Sequence, residues 1–182
     1  MIDRLKLWSV RLWLVALVCV VAWPALAVTV IRDAEIEDTI HRIADPVFNA
    51  AGLDVSTIDI YLLRDPTLNA FVSGGQNLFI NTGLIIRTST PDELRGVIAH
   101  ETGHIAGGHL SRIAGARDQA MAKSLLGAVL GMAAAVVGAP ELGTAIMAGG
   151  LTAGQRGILA FSRTQEQAAD QAAVTFLTRL QE

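Results

Sequence analysis

Residues 90–108 constrain this chain most: a helix with a marked start and a marked stop encloses a metal-ligand spacing. Thr90 is a good N-cap, Pro91 occupies the first helical position where its missing N–H costs nothing, and Glu93 completes a capping box. Leu94, Val97, Ile98 and Ile105 form an inward stripe, and Gly107-Gly108 weakens the helix about where it should end. Inside it, His100-Glu101-Thr102-Gly103-His104 reads HExxH. Spacing i, i+4 sets both imidazoles on one face, about 6 Å apart along the axis, so both nitrogens can reach one ion. Glu101 lies beside that face and stays free to act as a base on water whose pKa a zinc ion brings to about 7.

A catalytic zinc needs a third protein ligand and an open position. His109 is one candidate. In the HExxHxxGxxH spacing Gly107 falls on the glycine, but the third histidine would be residue 110, which is Leu110. On a continuing helix His109 points well away from His104, so it reads as a surface or capping histidine. Glu166 is the other candidate, in Glu166-Gln167-Ala168-Ala169-Asp170, where two acids share one helix face among small residues that permit close approach. A Glu ligand with an Asp orienting a histidine N–H is a known arrangement; two solvated helix charges are the plain alternative.

Upstream, Asp33 can cap a helix whose apolar positions are Ile36, Ile40, Ile43 and Val47, with a kink or restart expected at Pro46 and an end at Gly52. Thr57 to Leu63 alternates as a strand. Leu68 to Ser73 and Asn77 to Asn81 read as two strands joined at Gly74-Gly75. Thr164 to Leu180 reads as a helix with Ala169, Ala173, Phe176 and Leu180 inward. The fold class is therefore α+β, a small antiparallel-edged sheet beside helices.

The N-terminus reads as an address. Arg4, Lys6 and Arg11 precede the apolar run Leu12 to Ala22, Pro24 ends it, and Ala25-Leu26-Ala27 is a small-x-small cleavage pattern, which predicts a Sec signal peptide over residues 1–27. Val18 before Cys19 disfavours lipidation. Loss of Arg4, Lys6, Arg11 and Asp3 would leave 11 basic and 16 acidic residues from the 14 and 17 of the whole chain, a net charge of −5. With no basic surplus, nucleic-acid binding is excluded, and the single cysteine excludes a disulfide framework and a cysteine-based zinc site.

From Ser124 to Ala153 the chain is almost wholly Ala, Gly, Leu, Val, Met and Ile, split at Pro140-Glu141 into arms each shorter than the ~20 residues of a membrane span. The expectation is a helical hairpin packed near the catalytic cleft as a cover. Peripheral membrane contact through 124–153 is the competing reading, because so apolar a patch would otherwise promote aggregation.

Taken in order, Asn69-Ala70-Phe71 before a glycine turn, Gly83-Leu84, the Glu93-Leu94 to His104 helix, and Ser162-Arg163 leading to Glu166 and Asp170 resemble peptidase family M48, over roughly Leu68 to Leu177. The resemblance implies a zincin-like domain over residues 28–182 with one zinc ion per chain. It implies His100, His104 and Glu166 as ligands, Glu101 as general base, Asp170 behind a ligand, and Asn69, Ala70 and Phe71 as an edge strand to which substrate backbone adds. It further implies a periplasmic endopeptidase acting on misfolded or stalled envelope and outer-membrane proteins, with the outer-membrane assembly machinery as partner. The alternatives are an assembly adaptor with a closed zinc site and an integral-membrane member of the family. The last helix runs to Glu182 without a stop signal, so the chain reads as a partial form.

Overall fold

The computed structural model describes residues 29–181; the leader, its cleavage pattern and Cys19 lie outside them. A short strand β1 (Val30–Ile31) leads into helix α1 (Ala34–Ala50), capped by Asp33, whose carboxylate accepts from the backbone N–H of Glu35 and Ile36. Ile40, Ala44, Val47 and Phe48 form its buried face. The restart expected at Pro46 does not occur, and the helix runs through it to Ala50, close to the end expected at Gly52. The ring and the Arg42 carbonyl it deprives of a partner both lie on the exposed side, so water can replace the lost bond.

The strand expected from Thr57 starts later. Asp54 accepts from Ser56 N–H at 3.0 Å and from Ser56 O–H at 2.7 Å, which winds Val55–Thr57 into a 3₁₀ turn before β2 (Ile60–Leu63) begins. Then come β3 (Ala70–Ser73) and β4 (Asn77–Asn81), joined at Gly74-Gly75 as expected. The sheet order is β1-β2-β4-β3. Both outer pairs are antiparallel and the central β2–β4 pair is parallel, so the sheet is mixed, with β3 on one edge.

One sheet face is apolar and covered: Ile60, Leu62, Val72, Leu78 and Ile80 join α1 and the later helices in a single core. The other carries a ladder of stacked rings, Tyr61 on Phe79 and Phe79 on Phe71, each pair 5.1 Å between centroids. Helix α2 (Thr82–Arg87) follows β4, and α3 (Pro91–Ala106) crosses the covered face. Thr90 caps α3 by accepting from Glu93 N–H, while the Glu93 carboxylate reaches back to Ser89 N–H rather than to Thr90. Leu94, Ile98 and Ile105 are buried as predicted; Val97 is half-buried at the core margin.

Two long helices complete the fold, α4 (His109–Val136) and α5 (Pro140–Arg179). They form an antiparallel hairpin turning at residues 137–139, which places the break at Pro140 as expected. Its boundaries differ from the sequence reading, because the apolar arms and the final helix are parts of the same two rods. Ala169, Ala173 and Phe176 of α5 pack into the core, whereas Leu180, just past its end, is 38% exposed. The expected cover is not formed: the hairpin lines the cleft only with residues of its base, and none of 124–153 belongs to the core.

Candidate metal centre

Helices α3 and α5 meet at Gly103. A Cβ there would stand 2.8 Å from the Ala169 carbonyl oxygen and 2.9 Å from its Cα, so only glycine allows this backbone contact. The close approach carries Glu166, nearly one turn before Ala169, and Asp170, the residue after it, up to the histidines of α3.

The Nε2 atoms of His100 and His104 are 3.2 Å apart, and Glu166 Oε2 lies 3.4 Å from the first and 3.7 Å from the second. Three ligands at zinc–nitrogen and zinc–oxygen lengths of about 2.0–2.1 Å in tetrahedral arrangement would be separated by about 3.3 Å. His100 Nδ1 sits 2.8 Å from Asp170 Oδ1; donation of its proton to that carboxylate leaves the Nε2 lone pair facing the centre. Nitrogen and carboxylate donors converging with lone pairs inward fit zinc, with His100, His104 and Glu166 able to hold it.

His109 corrects the sequence reading. It is buried, with 6% of its surface exposed, and its Nδ1 lies 3.0 Å from Nδ1 of His104. The assumption of a continuing helix fails at Gly108, whose left-handed φ of 60° restarts the chain as α4 and turns its first residue back over α3. The imidazole then covers Gly107, where a Cβ would stand 2.3 Å from His109 Nε2. The glycine pair before a histidine was the available signal; it marks a helix end whose next residue can return. With the His104 proton on Nδ1, donated to His109 Nδ1, the His104 Nε2 lone pair also faces the centre.

Burial pushes the pKa of His104 down against the opposing pull of Glu166, and burial with neighbouring His104 and Arg112 pushes His109 down. Both effects favour neutral imidazoles, the form that binds metal. Glu101 is raised to about 7, first by burial and further by Glu166, with His100 and a hydrogen bond from the Val72 backbone opposing. Its carboxylate accepts from the Val72 backbone and so faces the sheet edge.

These groups open into a cleft of ≈ 270 Å³ lined also by Phe71, Val72, Leu110, Ile113, Ser162 and Gln165. Strand β3 forms one wall. Of the three predicted edge residues, Phe71 faces the cleft, Ala70 begins the strand, and Asn69 lies just before it, its carbonyl accepting from Asn81 N–H. Val72 lies in the same strand, and sequence reasoning missed Gln165, whose Oε1 atom is buried without a partner among the described residues.

A protein of Yersinia pestis named beta-barrel assembly-enhancing protease is 34% identical over 119 residues, 65% of this chain and 24% of its own. The Escherichia coli K12 protein of the same name is 25% identical over 149 residues, covering 82% of this chain and 30% of its own length. Protease HtpX of Vibrio cholerae is 36% identical over 77 residues, 40% of this chain and 24% of its own. This chain thus spans a third or less of the curated relatives it matches. The model of Peptidase family M48 matches residues 31–182, nearly the whole of the fold described above, and the chain belongs to that family.

Proposed function

We propose that this chain is the zinc endopeptidase domain of a periplasmic protease that removes misfolded or stalled envelope and outer-membrane proteins. The observation that carries the reading is the convergence of His100, His104 and Glu166 beside a half-buried carboxylate, that of Glu101, and an open sheet edge. In this reading His100, His104 and Glu166 hold one zinc ion, Asp170 orients His100, and Glu101 is the general base. Zinc bound there supplies Lewis acidity and an acidified water.

The chain's own residues supply the rest. A substrate strand pairs with β3 along Asn69, Ala70 and Phe71, which fixes the scissile carbonyl over the centre. Phe71, Leu110 and Ile113 exclude bulk water from that point. Glu101, poised near neutrality, takes a proton at its carboxylate and returns it to the leaving amine. The names of the Yersinia pestis and Escherichia coli relatives support envelope substrates and contact with the outer-membrane assembly machinery, and the leader read in residues 1–27 supports the periplasm.

Cleavage of an unfolded outer-membrane β-barrel protein tests this. The wild type should cut it, and chelation should stop the reaction. Glu101→Gln should keep near-stoichiometric zinc while cleavage falls at least about a hundredfold. Glu166→Gln should lose zinc, because an amide oxygen is a poorer donor than a carboxylate. Full zinc and full activity in Glu166→Gln would overturn the ligand assignment. A wild type that binds zinc yet cleaves nothing would leave the adaptor reading in its place.

A further inference from the structure

The distal part of the α4–α5 hairpin is packed inside out. Its buried residues are all glycines, Gly127, Gly131, Gly143 and Gly154. Its largest apolar residues stand in the open: Leu125 is 64% exposed, Val136 86%, Leu142 and Leu151 57% each. The seam is a backbone contact. A Cβ on Gly127 would stand 2.9 Å from Gly150 Cα, one on Gly131 2.5 Å from the Gly143 carbonyl oxygen, and one on Gly154 2.9 Å from that of Ala120. Helix pairs in water close around large side chains, because burying those is what water drives; helix pairs in lipid close through small ones and turn the large outward.

The polar groups agree. Between Lys123 and Arg156 the only charge is Glu141. The hydroxyls in that stretch, Ser124, Thr144 and Thr152, each donate to a carbonyl of their own helix, at 3.0, 2.8 and 2.8 Å, so none requires water. At the base the composition reverses: Arg112, Arg117, Lys123, Arg156 and Arg163 are all exposed, against the single acid Asp118. A basic collar below an apolar rod matches anionic headgroups below hydrocarbon.

We propose that the distal hairpin, residues 124–155, is inserted tip first into a lipid bilayer, with the basic collar at the headgroups. A helix lying on a membrane keeps a polar face, and residues 124–136 have none, so the rod is immersed rather than laid flat. Its arms, Ser124–Val136 and Pro140–Gln155, are about 20 and 24 Å long, enough to carry the tip beyond the midplane of a core about 30 Å thick. Glu141 then approaches the far interface, in the first turn of α5 where the helix N-terminus favours its charge. A protein partner or a second copy would cover one face; lipid covers every face, as this surface requires. The inference stands independently of the peptidase reading, since it uses none of the zinc site.

Depth-resolved fluorescence tests it on the full chain. In a Cys19→Ser background, single cysteines at Leu130, Leu151 and, on the body, Ser56 are labelled with an environment-sensitive dye. The protein is mixed with vesicles of phosphatidylethanolamine and phosphatidylglycerol, 3:1, with or without lipids brominated on the acyl chain. The local labels separate the hairpin from any contact the leader makes. The probes at 130 and 151 should be quenched several-fold more than the probe at 56, and should remain so in 1 M NaCl. Leu126→Lys with Leu130→Lys should lower quenching at 151 at least about tenfold. Probes at 130 and 151 quenched no more than that at 56 would overturn the proposal, as would quenching that 1 M NaCl abolishes, which marks surface attachment. A discrete dimer with the 130 probes adjacent and no lipid quenching would assign the surface to a second copy instead.

Discussion

The body and the distal hairpin are built from the same apolar residue types under opposite rules. In the body Phe48, Leu62, Leu78, Ile80 and Ile98 are almost wholly inaccessible, and the sheet is covered on one face by α1 and α3. In the hairpin glycine takes the inside, and leucine, valine and methionine take the outside. Apolar composition by itself therefore does not say where a residue goes. In the body the alternation of β2 and β4 and the helical stripe of α3 select one face for burial. In residues 124–155 apolar residues surround the helix, and only residue size distinguishes seam from surface.

Substitutions should break this contrast in graded steps. Phe48→Ala removes the largest fully buried side chain of the body and should cost about 3–5 kcal/mol of stability by denaturant unfolding. His109→Ala should weaken zinc binding roughly ten- to a hundredfold, read by competition with a chromophoric chelator, because His104 loses the group that fixes its ring and tautomer. Unchanged affinity would reduce His109 to a filler over Gly107. Thr90→Ala should cost about 1 kcal/mol of unfolding free energy through the lost α3 cap. Leu126→Ala, on the outer surface of the hairpin, should change stability in lipid-free buffer by no more than about 0.5 kcal/mol. A cost near that of Phe48→Ala would place Leu126 in a packed interior and end the contrast.

What the sequence made legible was local. The α3 cap, the HExxH face, the β3–β4 turn at Gly74-Gly75 and the pairing of Glu166 with Asp170 on one face each depend on residues within a turn or two of one another. The structure places them as that chemistry dictates. What stayed hidden depended on a single dihedral or on distant packing. His109 returns to His104 because Gly108 adopts a left-handed conformation, which no periodicity announces. The late start of β2 follows from Asp54 bonding Ser56 more readily than a ladder partner. Pro46 is tolerated because its side of α1 faces water, a fact set by what lies on the opposite side. The hairpin's seam was hidden for the same reason, since Gly127 meets Gly150 only after α4 and α5 have folded back on one another.

Helix α5 runs without a joint from Pro140 to Arg179, so the tip of the hairpin and the carboxylates of the centre ride on one rod. Its fulcrum is the contact of Ala169 with Gly103. Measured along the axis from that fulcrum, the tip is about 44 Å away and Glu166 only about 4.5 Å, a lever ratio of about ten. A rigid swing of the tip by about 4 Å about that contact would displace Glu166 by about 0.4 Å. A rigid rod pivoted there would act as a reduction gear: a displacement at the far end of the hairpin would reach Glu166 divided about tenfold.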